Sequence, residues 1–365
     1  MKSEKIKRVN EIGQSFWLDY IRRDLLENGQ LQRLVEEEGI SGLTSNPSIF
    51  NKAIAETDLY DETIDELSRS GLSCKEIYEH IAIEDLRLAA DLLRATYDAS
   101  GGEDGYVSLE VSPSLAYDAE GTVEEAKSLF SRVERKNLFI KVPATEEGLK
   151  AIEELISFGI NVNVTLLFSI ERYEKVEEAY QRGLARRLKK GADLSEVASV
   201  ASFFVSRVDT AMDEVISSHH RDESLLGKTA IANAKLAYQS ALNAWSKGAF
   251  KELQAHGARK QRVLWASTST KNEDYRDVRY VEELIGPDTV NTMPLQTLEL
   301  FLDHGVVEER LTKALDQARA QMNSLESSGL SLQKVSNELE EAGVKSFAQA
   351  FNSMIESIEN KVRKL

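Results

Sequence analysis

The stretch Asn137 to Ser169, NLFIKVPATEEGLKAIEELISFGINVNVTLLFS, decides the predicted fold because it has the pattern of strand, helix and strand. Residues 138–143 alternate between an aliphatic face and a face that carries Lys141 at its centre. Thr145 can cap the helix that follows, and Gly159 can end it in the left-handed conformation. A second strand starts at once, so the stretch is predicted to be a βαβ unit with parallel strands.

Lys141 is the unusual residue of this unit, because parallel strands are buried on both faces. A buried lysine either pairs with a carboxylate or loses its proton, and a neutral amine is a nucleophile that can form a Schiff base. Asn161, Asn163 and Thr165 share one face of the second strand, and their amide and hydroxyl groups could hold a carbonyl substrate without neutralising the amine. The alternative is a lysine that reaches water from the end of its strand and has no catalytic role.

Composition limits the classes of partner. The 365 residues, 42% of them hydrophobic, are ample for a large core. The 61 acidic and 45 basic side chains give a net charge of -16, which argues against nucleic acid and against an anionic membrane surface as partners. If a substrate carries phosphate, a few positive groups placed locally must bind it.

Targeting and metal-binding patterns are also limited. Cys74 is the single cysteine, so there is no intramolecular disulfide and no cysteine-rich metal site. His219 and His220 are adjacent and the other histidines are scattered, so no metal site is expected. The opening residues lack an apolar signal region, and no apolar stretch is long enough to cross a bilayer, so we expect a cytoplasmic protein without membrane contact.

Strand candidates alternate with helical segments along most of the chain. Apart from the central pair, they lie at residues 16–20, 40–46, 106–112, 197–206, 262–267 and 290–293. Eight strands with intervening helices predict an α/β fold, a single (β/α)8 TIM barrel, although an open doubly wound sheet uses the same alternation.

The segments around and between these strands give more detailed predictions. Residues 1–310 are expected to form the barrel, with an extra N-terminal helix, and residues 311–365 a C-terminal helical extension packed on it rather than an independent domain. Thr122 and Glu125 suggest a capping box, and residues 224–256 suggest one long helical tract. An apolar helix face in the extension could pack on the barrel or on a second subunit, so a homodimer is one alternative.

Several polar residues interrupt otherwise aliphatic strand candidates or lie at their ends. These residues are Asp19, Asn46, Glu110, Lys141, Asn163 and Thr165. In a barrel, the C-terminal ends of the strands meet in one pocket, where these groups would supply a nucleophile, two carboxylates for proton transfer and two amides. Each also has a structural alternative: Asp19 could begin a helix, Asn46 could be a turn residue before Pro47, and Glu110 could be a salt-bridge partner that keeps Lys141 charged.

Seven segments of the chain strongly resemble the transaldolase family, in order and spacing, from about residue 12 to 310. They are GLTSNPSIF (42–50), VSLEVSP (107–113), NLFIKVPAT (137–145), INVNVTLLFS (160–169), SFFVSRVD (202–209), VLWASTSTKN (263–272) and VNTMP (290–294). The STSTKN run and the long helical tail are similar to the longer bacterial form of the family.

The resemblance implies a class I aldol mechanism without cofactor or metal. Lys141 would form the Schiff base with the ketone of fructose 6-phosphate or sedoheptulose 7-phosphate, and Asp19 would be the acid and base for carbon–carbon cleavage. Glu110 would move protons through a water near Thr165. The dihydroxyacetone unit, held by residues such as Asn46, would pass to glyceraldehyde 3-phosphate or erythrose 4-phosphate in the non-oxidative pentose phosphate pathway.

The resemblance also implies further substrate contacts. Asn163 and Ser202 would bind substrate, and Arg207 and Ser267 match the usual phosphate contacts. Where shorter members of the family have a second arginine, this chain has Ser269, and the nearest cation is Lys271. Lys271 either replaces that arginine as a point charge or merely faces solvent.

Two other functions remain open. One is a related class I aldolase that keeps Lys141 but uses free dihydroxyacetone or makes a different bond. The other is a catalytically silent barrel that binds sugar phosphates or acts as a scaffold. The costly combination of lysine, carboxylates and amides in strand interiors argues against the silent barrel.

Overall fold

A closed barrel of eight parallel strands forms the centre of the molecule. The structure, a computed structural model, describes residues 2–218 and 223–364. The strands pair in chain order and the last returns to the first. They are β1 (Gln14–Asp19), β2 (Gly42–Thr44), β3 (Tyr106–Glu110), β4 (Leu138–Pro143), β5 (Val162–Leu167), β6 (Ser199–Phe204), β7 (Arg262–Ala266) and β8 (Thr289–Met293). The predicted (β/α)8 TIM barrel is confirmed, and the open-sheet alternative is wrong.

Helices surround the barrel and extend beyond it at both ends of the chain. They are α1 (Lys2–Ile12), α2 (Arg23–Glu27), α3 (Gln30–Arg33), α4 (Pro47–Ala55), α5 (Asp61–Arg69), α6 (Cys74–Leu92), α7 (Arg94–Ala99), α8 (Ala119–Val133), α9 (Glu146–Phe158), α10 (Ile170–Lys189), α11 (Ser206–Ser218), α12 (Thr229–Ser246), α13 (Gly248–Ala255), α14 (Arg279–Glu283), α15 (Leu295–His304), α16 (Leu315–Ser327) and α17 (Leu332–Val362). A π-helical turn, Leu34–Glu38, follows α3, and short 3-10 turns occupy Pro113–Leu115 and Glu223–Leu225. His219 and His220 lie outside the described residues.

The predicted βαβ unit is present as β4, α9 and β5. The Thr145 hydroxyl accepts a hydrogen bond from the Gly148 N–H at 3.0 Å and therefore caps α9. Gly159 ends the helix with a φ of 84°, a conformation that glycine adopts without a steric cost. The local sequence thus fixes both ends of the crossover helix, and β4 and β5 pair in parallel.

Aromatic side chains fill the N-terminal half of the barrel interior. The rings of Tyr106 and Phe139 stack with centroids 4.1 Å apart, and Trp17 lies 6.1 Å from Phe139. Gly42 makes room for the Trp17 indole, because a Cβ at this position would lie 2.5 Å from that ring. This packed layer closes the lower barrel, so the open space lies at the C-terminal ends of the strands.

Two predictions of helix boundaries are wrong. Asp118 caps α8, while the Thr122 hydroxyl donates to the Leu115 carbonyl and the Glu125 carboxylate accepts from Ser112, so the predicted capping box does not form. The helical tract predicted for residues 224–256 is divided at Lys247, whose ψ of 148° is extended. In both places a hydrogen bond or backbone turn outside the local pattern determines the boundary.

The C-terminal helices pack on the barrel. Helix α16 contacts α12, and α17 contacts α4, α6, α11 and β5. Gly343 of α17 approaches the barrel so closely that a Cβ there would lie 2.7 Å from Leu166. The division into a barrel at 1–310 and an extension at 311–365 stays a prediction. Within the described ranges, no helix is both long and apolar enough to span a bilayer.

Candidate functional site

A cavity of about 210 Å³ opens at the C-terminal ends of the strands. It is lined by nine of the ten residues predicted from the sequence: Asp19, Asn46, Lys141, Asn163, Thr165, Ser202, Arg207, Ser267 and Lys271. The tenth, Glu110, lies beside Lys141 and lines an adjoining pocket. We call the 210 Å³ space the barrel cavity. The structure therefore brings together side chains that are far apart in the sequence.

Lys141 lies in β4 with only 8% of its surface exposed. Its Nζ donates to Oε1 of Glu110 at 2.5 Å and to the Ser45 carbonyl at 2.8 Å. The neighbour is thus a carboxylate, as in the salt-bridge alternative for Glu110. The cause is the strand register, which places Glu110 of β3 directly opposite Lys141.

Burial raises the pKa of the Glu110 carboxyl, while the charge and hydrogen bond of Lys141 oppose that shift. The negative charge of Asp19 adds a smaller upward contribution. A carboxylate with a raised pKa accepts a proton more readily than one in water. The Lys141–Glu110 pair therefore combines an amine with a base that can take up its proton.

Strand β5 presents Asn163 and Thr165 to the barrel cavity. Asn163 is fully buried: its Oδ1 accepts from the Ser202 hydroxyl at 2.6 Å, and its Nδ2 donates to the Ser108 hydroxyl at 3.2 Å. These bonds leave one N–H of the amide for another acceptor. The register of β5 against β6 shifts between Val164 and Leu167, at the position of Thr165. Such an irregularity redirects a side chain.

Asp19, at the end of β1, belongs to a hydrogen-bonded chain that the sequence did not reveal. The Thr44 hydroxyl donates to Oδ1 of Asp19 at 2.7 Å and lies 2.7 Å from the Thr292 hydroxyl. Both threonines line the barrel cavity. The threonines at the ends of β2 and β8 were the available signal. This signal is weak, because threonine also occurs in strands for its β-propensity alone.

Asn46 serves as a helix cap and also lines the barrel cavity. Its Oδ1 accepts from the Ile49 N–H at 3.1 Å and caps α4, which starts at Pro47. The amide nitrogen is not used in the cap. The turn interpretation of Asn46 is therefore correct, and it is compatible with a position in the site.

Arg207 supplies a positive charge to the barrel cavity. Its guanidinium lies 5.1 Å from the centroid of the Phe204 ring and makes no hydrogen bond or ion pair within residues 2–218 and 223–364. Burial lowers the pKa of Arg207, and the charge of Asp19 partly opposes this effect. A half-buried guanidinium without a protein partner is available to an anion.

Ser267 and Lys271 lie at the same end of the cavity. Ser267 has a φ of 55°, a left-handed conformation, and its hydroxyl is 3.0 Å from that of Ser206. Lys271 is exposed, and its Nζ donates to the Ser269 hydroxyl at 3.1 Å. Because Ser269 and Lys271 both line the cavity, Lys271 faces solvent at the mouth of the site rather than away from it.

Phe347 is a further lining residue that sequence reasoning missed. It comes from α17 and contributes to both the barrel cavity and the adjoining pocket that contains Glu110. Nothing in the periodicity of α17 distinguishes Phe347 from the other apolar residues of that helix. The docking of the C-terminal helix over the barrel decides its position.

Across residues 2–218 and 223–364, no group of three or more His, Cys, Asp and Glu side chains is arranged to hold a metal ion.

The sequence is similar to transaldolases over its whole length. The profile of the Transaldolase/Fructose-6-phosphate aldolase family matches residues 16–358. A transaldolase of Thiobacillus denitrificans is 48% identical, with 96% of this chain and 99% of that protein aligned. Transaldolase 2 of Nostoc punctiforme is 44% identical over 100% of this chain and 99% of its own length, and transaldolase 2 of Streptomyces coelicolor is 44% identical over 100% and 98%. On this similarity, the chain belongs to the transaldolase/fructose-6-phosphate aldolase family.

Proposed function

We propose that this protein is a transaldolase that works through a Schiff base on Lys141. It transfers a dihydroxyacetone unit from sedoheptulose 7-phosphate or fructose 6-phosphate to glyceraldehyde 3-phosphate or erythrose 4-phosphate, in the non-oxidative pentose phosphate pathway and without a cofactor. The observation that carries the proposal is the buried Lys141 paired with Glu110 at the wall of a cavity that is also lined by the Arg207 guanidinium.

The first step is attack of the Lys141 amine on the ketone of the donor sugar. The Glu110 carboxylate, 2.5 Å from Nζ, takes the proton that the ammonium must lose before it can attack. The same proton then helps the carbinolamine lose water and form the imine. Thr165 and Glu110 both line the pocket that adjoins the barrel cavity, so a water between them can carry protons in this step.

Carbon–carbon cleavage follows from the protonated imine, which accepts the electron pair of the broken bond. Asp19 removes the proton from the sugar hydroxyl next to that bond, and the aldose phosphate leaves as an aldehyde. Thr44 holds the Asp19 carboxylate in place through its hydrogen bond of 2.7 Å. General acid–base steps of this kind contribute about 10² to 10⁴ in rate. The acceptor aldehyde then enters, and the same steps run in reverse: the new carbon–carbon bond forms, and water releases the product from Lys141.

The remaining cavity residues hold the substrate. Asn46 and the spare N–H of Asn163 bind hydroxyl groups of the three-carbon unit, and Ser202 orients Asn163 through its bond of 2.6 Å. Arg207 and Ser267 bind the phosphate, and Lys271 adds a charge at the cavity mouth. The positive charge of Arg207 supplies the local attraction that a chain with a net charge of -16 requires.

The proposal is tested by trapping the imine. The protein is incubated with fructose 6-phosphate and borohydride and analysed by intact and peptide mass spectrometry. We expect one addition of dihydroxyacetone size on the peptide that contains Lys141, absent in Lys141→Arg and unchanged in the control Lys150→Arg, whose lysine is exposed on α9. Folded protein that binds the sugar phosphate but forms no adduct would contradict the mechanism and favour a silent binding barrel.

A related class I aldolase activity is the second candidate, because the matching profile also describes fructose-6-phosphate aldolase. Both activities form the same adduct on Lys141, so the products separate them. A transaldolase needs an acceptor aldose phosphate before it releases the three-carbon unit, whereas an aldolase releases free dihydroxyacetone. The cytoplasmic location and the homodimer stay predictions.

A further inference from the structure

A second cavity, of about 330 Å³, lies outside the barrel among α12, α14 and α16. We call it the outer cavity. Five cationic and two anionic side chains line it, in a chain whose net charge is -16. The cations are Lys228, Lys235, Arg276, Arg279 and Arg310, and the anions are Glu282 and Glu283. Its volume is within the range of small-molecule sites, about 300 to 1,000 Å³.

The two carboxylates of the outer cavity are already bonded. Arg276 binds both oxygens of Glu282, at 2.8 and 2.9 Å, and the carboxylate also accepts from the Val306 N–H. Glu283 pairs with Lys235 at 3.3 Å and with Arg310 at 3.1 Å. No acidic group of the lining is therefore free to neutralise the remaining cations.

Lys228 and Arg279 have no carboxylate within ion-pair distance in the described ranges 2–218 and 223–364. The Arg279 guanidinium lies 4.4 Å from the Tyr275 ring and 5.3 Å from the Tyr280 ring, and it donates to the Gly227 carbonyl. Gly227 permits this arrangement, because a Cβ there would lie 2.6 Å from Tyr275 and 2.9 Å from the Arg279 guanidinium. The cation is thus held in a fixed orientation before any ligand arrives.

Lys235 is the most buried cation of the outer cavity, with 5% of its surface exposed. Its ammonium has three donors, and its two acceptors, Glu283 and the Lys313 carbonyl, are distant at 3.3 and 3.4 Å. Charged hydrogen bonds are normally about 2.7 to 2.9 Å long. A buried ammonium with only long contacts is costly, and an anion in the cavity would supply a shorter one.

One helix, α16, begins at the outer cavity without a cap bond from its N-cap side chain. Ala314, in a left-handed conformation with a φ of 58°, precedes α16. The start of α12 is not free in this way, because the Asp209 carboxylate accepts from its Ala230 N–H at 2.7 Å. The free N–H groups at a helix start carry a partial positive charge and favour anions. They add to the charge of the five cationic side chains.

We propose that the outer cavity is a second anion site, which binds inorganic phosphate or a small phosphate monoester. Arg279 supplies the fixed guanidinium, Lys235 the buried ammonium and Lys228 a mobile charge at the mouth. The cavity is separate from the barrel cavity and has no lining residue in common with it. Binding here does not require the proposed aldol reaction.

The Thr270 hydroxyl links the two cavities. It donates to the carbonyls of Arg276 and Asp277, at 3.1 and 2.8 Å, and Thr270 lies between Ser269 and Lys271 of the barrel cavity. Because Arg276 lines the outer cavity, an anion bound there also restrains the backbone that Thr270 contacts. Protection of residues 268–272 is therefore an expected consequence of occupancy.

The test measures binding of radiolabelled inorganic phosphate by equilibrium dialysis in Arg207→Ala, where the phosphate contact of the barrel cavity is removed. We expect one remaining site. The pair Gln317→Glu and Gln321→Glu, which adds two carboxylates to the lining with little change of size, should weaken it by about tenfold or more. The matched pair Gln254→Glu and Gln333→Glu adds the same charge elsewhere and should leave it nearly unchanged.

Hydrogen exchange of wild-type protein, with and without phosphate, locates the site independently of the variants. Slower exchange in residues 227–235 and 310–321 supports the proposal, and protection confined to the barrel cavity contradicts it. Absence of bound phosphate in Arg207→Ala, or equal weakening by the two glutamate pairs, also overturns it. Competition by glycerol 1-phosphate then distinguishes a phosphate monoester from inorganic phosphate as the occupant. If glycerol 1-phosphate binds more tightly than inorganic phosphate, the site is one for a monoester. If it binds more weakly, the site is one for inorganic phosphate.

Discussion

Arg207 and Lys271 should contribute very differently to phosphate binding, although both line the barrel cavity. Arg207 is half-buried and makes no hydrogen bond or ion pair among the described residues, so on the proposed function substrate phosphate would be its main hydrogen-bond acceptor. A hydrogen bond to a charged group contributes about 1.5 to 3 kcal/mol. At about 1.4 kcal/mol per tenfold, Arg207→Ala should lower kcat/KM by roughly 10- to 150-fold.

Lys271 is exposed and already bonded to Ser269. Exposed charge pairs contribute about 0 to 1 kcal/mol, so Lys271→Ala should lower kcat/KM by no more than roughly fivefold. Arg207→Lys should recover only part of the loss, because an ammonium cannot form the two parallel bonds of a guanidinium.

The assay follows steady-state transfer from fructose 6-phosphate to erythrose 4-phosphate, and varies the two substrates separately. Lys251→Ala, which removes an exposed charge from α13, is the control for net charge. Raising the salt concentration should reduce the effect of Lys271→Ala more than that of Arg207→Ala, because exposed charges are screened more strongly. A loss for Lys271→Ala as large as that for Arg207→Ala would refute the distinction drawn from burial.

Two further predictions concern buried and lining residues. Burial raises the pKa of Glu177 from 4.5 to about 7. The contribution of this carboxyl to the free energy of unfolding is therefore fully present below pH 4.5 and is lost as the pH rises through 7. Chemical denaturation measures the free energy of unfolding of Glu177→Gln minus that of wild type. This difference should be about 3 kcal/mol larger at pH 8 than at pH 4. The same difference for Glu178→Gln, which changes an exposed neighbour, should not show this trend. Phe347→Ala should admit water to the barrel cavity, lower kcat/KM by about tenfold and release more free dihydroxyacetone. The control is Phe351→Ala, one turn further along α17, where the ring packs on Tyr78. This variant should change the stability of the protein more than the ratio of its products. Equal product ratios in the two phenylalanine variants, or a pH trend unchanged by Glu177→Gln, would contradict these expectations.

Local pattern was sufficient to predict the central βαβ unit. The alternation at 138–143, the cap at Thr145 and the glycine at 159 each act within a few residues, and all three are present in the structure. Parallel strands joined by helices then restrict the fold to a closed barrel or an open sheet. The count of eight strands favoured the barrel, and the pairing of β8 with β1 in the structure decided between the two folds.

Polar residues in strands were a good but incomplete guide to the site. Asn161 and Asn163 are predicted on one face, yet Asn161 lies at the other end of β5, where its amide donates to the carbonyls of Lys136 and Leu138 at 2.9 and 3.0 Å. A period of two defines the face of a residue but not its height in the barrel. The two asparagines therefore have different surroundings.

The sequence by itself determined the alternation of strands and helices, the lysine in the fourth strand and the polar residues at the strand ends, because periodicity and capping depend on neighbours in the chain; closure of the barrel was a prediction that the pairing of β8 with β1 confirmed. Only the tertiary structure decided that Glu110 lies opposite Lys141, that Thr44 supports Asp19, and that Phe347 of the C-terminal helix reaches the cavity. These contacts depend on strand register and helix docking, which join segments that are remote in the chain. Many weak contacts between remote segments together stabilise this register and docking, so no short stretch of sequence is sufficient to predict them.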